Sequence, residues 1–267
     1  MTDTTGIQPS PRPEIAELEW SDILCALKTG WSDYRRAPGF GLVFSAVYVL
    51  GGLFLSFVSG GFVTQTLILA LGFPLVAPFA AVGLYETSRR IEQGEPLKLG
   101  QIFGVVWREK DRQIPWAGAV IVLYFLFYFF LAHMIFALFM GLSVMTNVTS
   151  SLDVFLTPNG LAMIAVEFLV GGGLAFLLFA LTALSLPLLV DREIDFITAM
   201  LLSLQAVRRN IALMAAWAGI IAVSVVVAMI PAYLGLFVAL PVLGHATWHI
   251  YRRALIHPGE AGKALSP

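Results

Sequence analysis

Charge is scarce in this sequence and cysteine almost absent. Only 12% of its 267 residues are Asp, Glu, Lys or Arg, about half the share usual in a soluble domain. Too few charges remain to wet the surface of a soluble fold of this length. The single cysteine, Cys25, excludes an internal disulfide. A net charge of −1 leaves no overall positive field to hold phosphates, which excludes nucleic acid as a partner. A Walker loop, a dinucleotide-binding glycine fingerprint and a nucleophile arrangement are also missing, so no motif points to a catalysed reaction. No secretory leader is expected, because residues 1–39 carry scattered charges and no apolar core of adequate length.

Apolar side chains are what the sequence has in excess. They make up 58% of the chain, and the mean hydropathy is +0.85. In water such a composition leaves large bare patches, whereas a bilayer matches them with hydrocarbon. A spanning helix needs about 20 mostly apolar residues. Six runs meet that length, near Phe40–Val58, Phe62–Tyr85, Pro115–Leu142, Leu161–Val190, Ile211–Ile230 and Ala232–Ile250. The last two are separated only around Pro231 and read as a tight hairpin, since about 40 residues are too many for one crossing. The expected fold is therefore an all-α polytopic bundle of six transmembrane helices arranged as three hairpins.

Lysine and arginine orient the chain. All 16 fall before the first run, between the second and third, between the fourth and fifth, or after the sixth. Positive loops stay in the cytoplasm. The distribution predicts an even number of crossings of a cell inner membrane, with both termini cytoplasmic. Residues 1–19, proline-punctuated at Pro9, Pro11 and Pro13, read as a disordered tail; 20–255 form the membrane domain; 256–267 form a second tail. A mixed apolar and basic stretch precedes each odd-numbered run: Trp20–Arg36, Gly100–Arg112 and Asp195–Arg209. The apolar spacing of Ile23, Leu24, Leu27 and Trp31 places them on one helical face. These stretches are expected either to lie flat at the membrane interface or to pack across the base of the bundle.

Two polar groupings are candidate sites. Pro187 precedes Asp191 by four residues and Asp195 by eight, and Pro241 stands in the same relation to His245 and His249. Glu86 follows Pro78 by eight. Positions four apart share a helical face, so Glu86, Asp191, Asp195, His245 and His249 could converge at the cytoplasmic mouth. Two imidazoles and three carboxylates suit a divalent transition metal. The alternative is an interfacial cluster, with the carboxylates paired to Arg192, Arg252 or Arg253. The second grouping is His133 and Glu167, placed at similar depth in the third and fourth runs. Ionisable groups inside a span suggest either an ion path or a structural hydrogen bond.

The stretches Gly30-Trp31-Ser32-Asp33, Gly83 to Arg90, Leu186 to Arg192 and His245 to Arg252 resemble a bacterial family of predicted integral membrane proteins classed only as a domain of unknown function. The resemblance covers about residues 30–255. Some members carry a cytochrome c oxidase label, which implies a respiratory connection. A haem-copper catalytic subunit needs several intramembrane histidines, and here only His133 lies deep. The implied link is to an accessory or assembly role. Two functions are thus expected as alternatives. One is a non-catalytic accessory, assembly or scaffold protein, partnered by the lipid bilayer and by a respiratory complex or another membrane protein. The other is a small transporter or divalent-metal-handling protein.

Overall fold

The computed structural model describes residues 12–57, 73–109, 111–141 and 155–258. Most of the first tail, the run up to Gly72, the loop 142–154 and the last nine residues lie outside that range. The order is β1 (Glu14–Ile15), α1 (Trp20–Arg36), α2 (Pro38–Phe57), α3 (Phe73–Gln93), α4 (Leu99–Glu109), α5 (Ile114–Met140), α6 (Pro158–Thr182), α7 (Ser185–Asp191), α8 (Phe196–Arg209), α9 (Ile211–Met229), α10 (Leu236–Ala254) and β2 (Leu255–Ile256).

Among the described residues three helical segments are long and apolar enough to cross a membrane: α5, α6 with α7, and α9. A fourth arises if α1 and α2, bent by 101° at their junction, are taken as one. Proline causes that bend. Pro38 has no amide hydrogen and disfavours helical geometry in the residue before it, and Ala37 accordingly leaves the helix at φ −133°. The run expected at Leu161–Val190 is likewise interrupted, because α6 ends at Thr182 and α7 starts at Ser185, just ahead of Pro187. Around Pro231 the chain turns between α9 and α10, with Ala232 and Tyr233 in the left-handed region at φ 49° and 66°.

Large apolar side chains cover the outside of these segments. Phe168 is 83% and Leu138 76% exposed, and Phe127, Phe130, Val223 and Val226 are exposed beside them. Such a surface matches hydrocarbon and not water. The three stretches read as amphipathic fall on α1, α4 and α8. Each buries one face and exposes apolar residues on another: Trp20 and Leu24, Phe103 and Trp107, Ile197 and Leu201.

The main core gathers Trp217, Trp248, Tyr251, Leu188 and Met214 where α7, α8, α9 and α10 meet. Smaller clusters join α2, α3 and α4 through Phe44, Leu84 and Ile102, and α2, α9 and α10 through Val49, Ala228 and Leu236. α1 packs most extensively against α10. The two ends of the chain meet: β1 pairs antiparallel with β2, Glu14 opposite Ile256 and Ile15 opposite Leu255. Residues 14–19, read as tail from the sequence, are therefore a strap. Asn210 fastens it, accepting from the Leu18 amide at 2.8 Å and donating to the Ala16 carbonyl at 3.0 Å. Two residues of strand carry too little pattern to be read from sequence.

Candidate functional site

Arginines and glycine bring α1 against α10. Arg253 of α10 donates to Asp22 at 2.5 Å and lies 3.0 Å from the Cys25 sulfur. One and a half turns on, Gly30 faces the α10 backbone so closely that a Cβ there would lie 2.6 Å from the Ala246 nitrogen and 2.8 Å from the Val242 oxygen. Only glycine allows that approach. It brings Asp33, 2% exposed, level with His249.

A buried polar chain forms there between α1, α3 and α10. His249 Nε2 lies 2.8 Å from Asp33 Oδ2, and Ser88 Oγ donates to the same oxygen at 3.0 Å. His245 Nδ1 lies 2.7 Å from Ser88 Oγ. A hydroxyl has one proton. With that proton given to Asp33, Nδ1 of His245 must carry its own and donate to Ser88. His245 Nε2 is then a bare acceptor, fully buried and without a hydrogen-bond partner among the described residues.

The order of these groups decides what they can do. In a nucleophilic triad the histidine stands between serine and carboxylate. Here serine stands between histidine and Asp33, and Ser88 is fully buried. The arrangement is not that of a nucleophilic triad.

The other candidates occupy different settings. Glu86, fully buried, accepts from Arg89 at 2.8 and 3.0 Å and from Arg90 at 2.6 Å. The hydrogen bond to Glu86 raises the pKa of Arg89, with burial opposing it. Asp191 accepts from the Tyr251 hydroxyl at 2.8 Å and from Arg192 at 3.2 Å, and lies 3.5 Å from Arg252. Asp195 caps α8 by accepting from the Thr198 amide at 2.8 Å, and its bonds to Thr198 hold its carboxyl below the usual aspartate range. His245 and His249 thus share one cluster, while Glu86, Asp191 and Asp195 each sit elsewhere. Among the described residues no three His, Cys, Asp or Glu side chains are grouped to hold a metal ion.

His133 and Glu167 face the α5–α6 contact. His133 Nδ1 donates to the Phe129 carbonyl of its own helix at 2.7 Å, and Glu167 is close enough to His133 for an electrostatic interaction. Glu167 lines a small cavity with Tyr128, Ile135 and Gly171.

Sequence reasoning missed Asp33, Ser88 and His257. Asp33 and Ser88 both fall in stretches on which the family resemblance rests, and Gly30 one turn before Asp33 was a further clue. His257, 4% exposed, lies 3.0 Å from the Tyr251 hydroxyl and follows β2 in the stretch read as tail.

No curated protein and no solved structure matches the chain. The profile of a family described as "Predicted integral membrane protein (DUF2189)" matches residues 66–191, just under half its length. That segment contains Glu86, Ser88, His133, Glu167 and Asp191, and leaves out Asp33, His245 and His249. This is a membrane protein with apolar helices able to span a bilayer, similar over that segment to a family of unknown function.

Proposed function

We propose that the chain crosses a cell inner membrane six times, keeps both ends in the cytoplasm, and acts as a non-catalytic accessory, assembly or scaffold protein for another membrane protein. The observation that carries this reading is how the polar residues are used. Glu86 binds Arg89 and Arg90, Glu92 takes Trp248 and Arg252, Asp191 takes Tyr251, and Asp22 takes Arg253. The last three pairings stitch helices to one another, and Glu86 braces α3 from within. The β1–β2 pairing supports an even number of crossings, because an odd number would leave the two strands on opposite faces. The restriction of Lys and Arg to alternate loops supports the cytoplasmic orientation. A respiratory complex, suggested by the resemblance, is the first partner to test.

Reporter fusions test the topology. An enzyme active only outside the inner membrane should work after Gly60 or Thr149 and fail after Gly94, Asn210 or Lys263. The reverse pattern overturns the orientation, and activity after Asn210 overturns the six-crossing count.

One observation favours the alternative of a divalent-metal-handling protein or small transporter: the buried Nε2 of His245, unpartnered among the described residues. Metal analysis decides between them. Full-length protein purified without chelators should hold less than about a tenth of an equivalent of any transition metal. Stoichiometric metal that is lost in the double variant His245→Ala, His249→Ala would replace the scaffold reading.

A further inference from the structure

Where α3 ends and α4 begins, the surface opens into a cleft of about 670 Å³ lined by Arg90, Glu95, Pro96, Gln101, Gly104 and Arg108. It lies apart from the Asp33 cluster. At 100° per residue α4 has three faces. Ile102 and Val105 are buried against Phe44 and Leu84. Leu99, Phe103 and Trp107 form an exposed apolar stripe at i, i+4 and i+8. Gln101, Gly104 and Arg108, at i, i+3 and i+7, turn toward the cleft.

The two arginines differ in how they are held. Arg90 is only 8% exposed, and its guanidinium is fixed on one side: Nε donates to Glu86 at 2.6 Å, and Nη1 to Gln101 at 3.1 Å and to the Pro96 carbonyl at 3.3 Å. Glu95 adds a carboxylate 3.4 Å from Nη1. Nη2 makes no hydrogen bond among the described residues. Arg108 is exposed and likewise without an ion-pair partner among them. Glu95 of the lining faces Arg90, and Glu86, buried behind it, is shared by Arg89 and Arg90. Among the described residues Arg108 is left as the uncompensated charge. A pre-oriented guanidinium with a free donor beside a second, unspent one suits a phosphate, whose oxygens take parallel N–H donors. The apolar stripe of the same helix says where that phosphate comes from, since it suits the acyl boundary directly beneath lipid headgroups.

We propose that this cleft binds the headgroup phosphate of an anionic phospholipid, with Leu99, Phe103 and Trp107 seated in the acyl layer beside it. Arg90 Nη2 and Arg108 hold the non-bridging oxygens. Gly104 keeps the floor open, since nothing lies within 4 Å of where its Cβ would stand. The net positive charge favours an anionic lipid over one whose headgroup also carries a quaternary ammonium. The inference rests on the chain being a membrane protein and not on the number of crossings or the scaffold role, so it survives failure of either.

The test is native mass spectrometry of the full chain in dodecyl maltoside micelles titrated with dioctanoyl phosphatidylglycerol. One equivalent should bind saturably, and phosphatidylcholine should bind more weakly. Arg108→Gln should weaken phosphatidylglycerol by about tenfold, the loss of one charge-assisted hydrogen bond. Gly104→Leu, which fills the cleft without touching its charge and raises helix propensity, should weaken it similarly. Phosphatidylglycerol bound equally well by both variants overturns the proposal. So does equal affinity for phosphatidylcholine, or displacement of the lipid by inorganic phosphate at matched concentration, which would make free phosphate the ligand.

Discussion

Replacing Gly30 with alanine tests whether the α1–α10 contact sets the buried cluster. The new Cβ would stand 2.6 Å from the Ala246 nitrogen, 2.8 Å from the Val242 oxygen and 3.0 Å from the Ala246 Cα. These are backbone atoms of a helix and cannot rotate aside. Restoring an ordinary contact of about 3.5 Å requires α1 to lift by roughly 0.5–1 Å. Asp33, one turn away, moves with it, and its bonds of 2.8 and 3.0 Å to His249 and Ser88 stretch toward the limit of about 3.5 Å beyond which they no longer count. Overpacking of this kind costs about 1–3 kcal/mol. Against it stands a gain of roughly 0.5–1 kcal/mol from replacing glycine within a helix. Because the facing backbone cannot yield, the cost falls in the upper part of that range, and the net loss should be about 1–2 kcal/mol. Cys25 reports it directly, being the only thiol in the chain and lying 3.0 Å from Arg253. Its labelling by a maleimide in detergent should quicken, by at most the roughly 5–30-fold population change such a loss produces, because Cys25 is half-buried. Gly104→Ala, where a Cβ meets nothing within 4 Å, is the control and should leave labelling unchanged. Wild-type labelling and melting in Gly30→Ala, or an equal change in Gly104→Ala, would refute the reasoning.

Asn210→Ala removes the partners of the Leu18 amide and the Ala16 carbonyl. It should cost about 1–3 kcal/mol and free the strap for proteolysis between Glu14 and Glu19; unchanged protease resistance would count against the clasp. Glu86→Gln leaves the guanidiniums of Arg89 and Arg90 without their shared buried carboxylate. The loss of about 3–5 kcal/mol should appear as reduced monodisperse protein on size exclusion, and a wild-type yield would contradict it. Asp195→Ala uncaps α8 and should cost about 1 kcal/mol at neutral pH. Because the folded-state pKa of Asp195 is lowered, its contribution is present above the unfolded value near about 4 and disappears as pH falls through the folded value. Variant and wild type should therefore converge in acid, and a gap that widened there would exclude the cap as its cause.

The sequence made some layers of this structure plain and hid others for definite reasons. Helical periodicity in Ile23, Leu24, Leu27 and Trp31 marks α1 as a helix, but the face it buries carries Ile23, Ala26, Gly30 and Asp33 and leaves Leu24 and Trp31 exposed. The matched offsets of Asp191–Asp195 and His245–His249 look alike on paper and differ in space. His245 and His249 stay on one continuous helix and reach the same cluster. Between Asp191 and Asp195 the helix ends, with Arg192 extended at ψ 150°, so Asp195 becomes the cap of α8 instead of the next turn of α7. Counting residues assumes an unbroken helix, and at Asp191 that assumption fails. Asp33 and Ser88 lie in stretches that carry the family resemblance but have no spacing pattern that pairs them with the histidines. Their partners lie 216 and 157 residues away in sequence, and only packing decides that the faces they occupy are turned inward. Gly30 and Gly104 give the sharpest contrast. As letters they are equivalent helical glycines, yet one is wedged against a neighbouring backbone and the other opens onto a cleft. What separates them is the placement of α10 against α1 and of α3 against α4, a property of the assembled bundle that no local window of sequence contains.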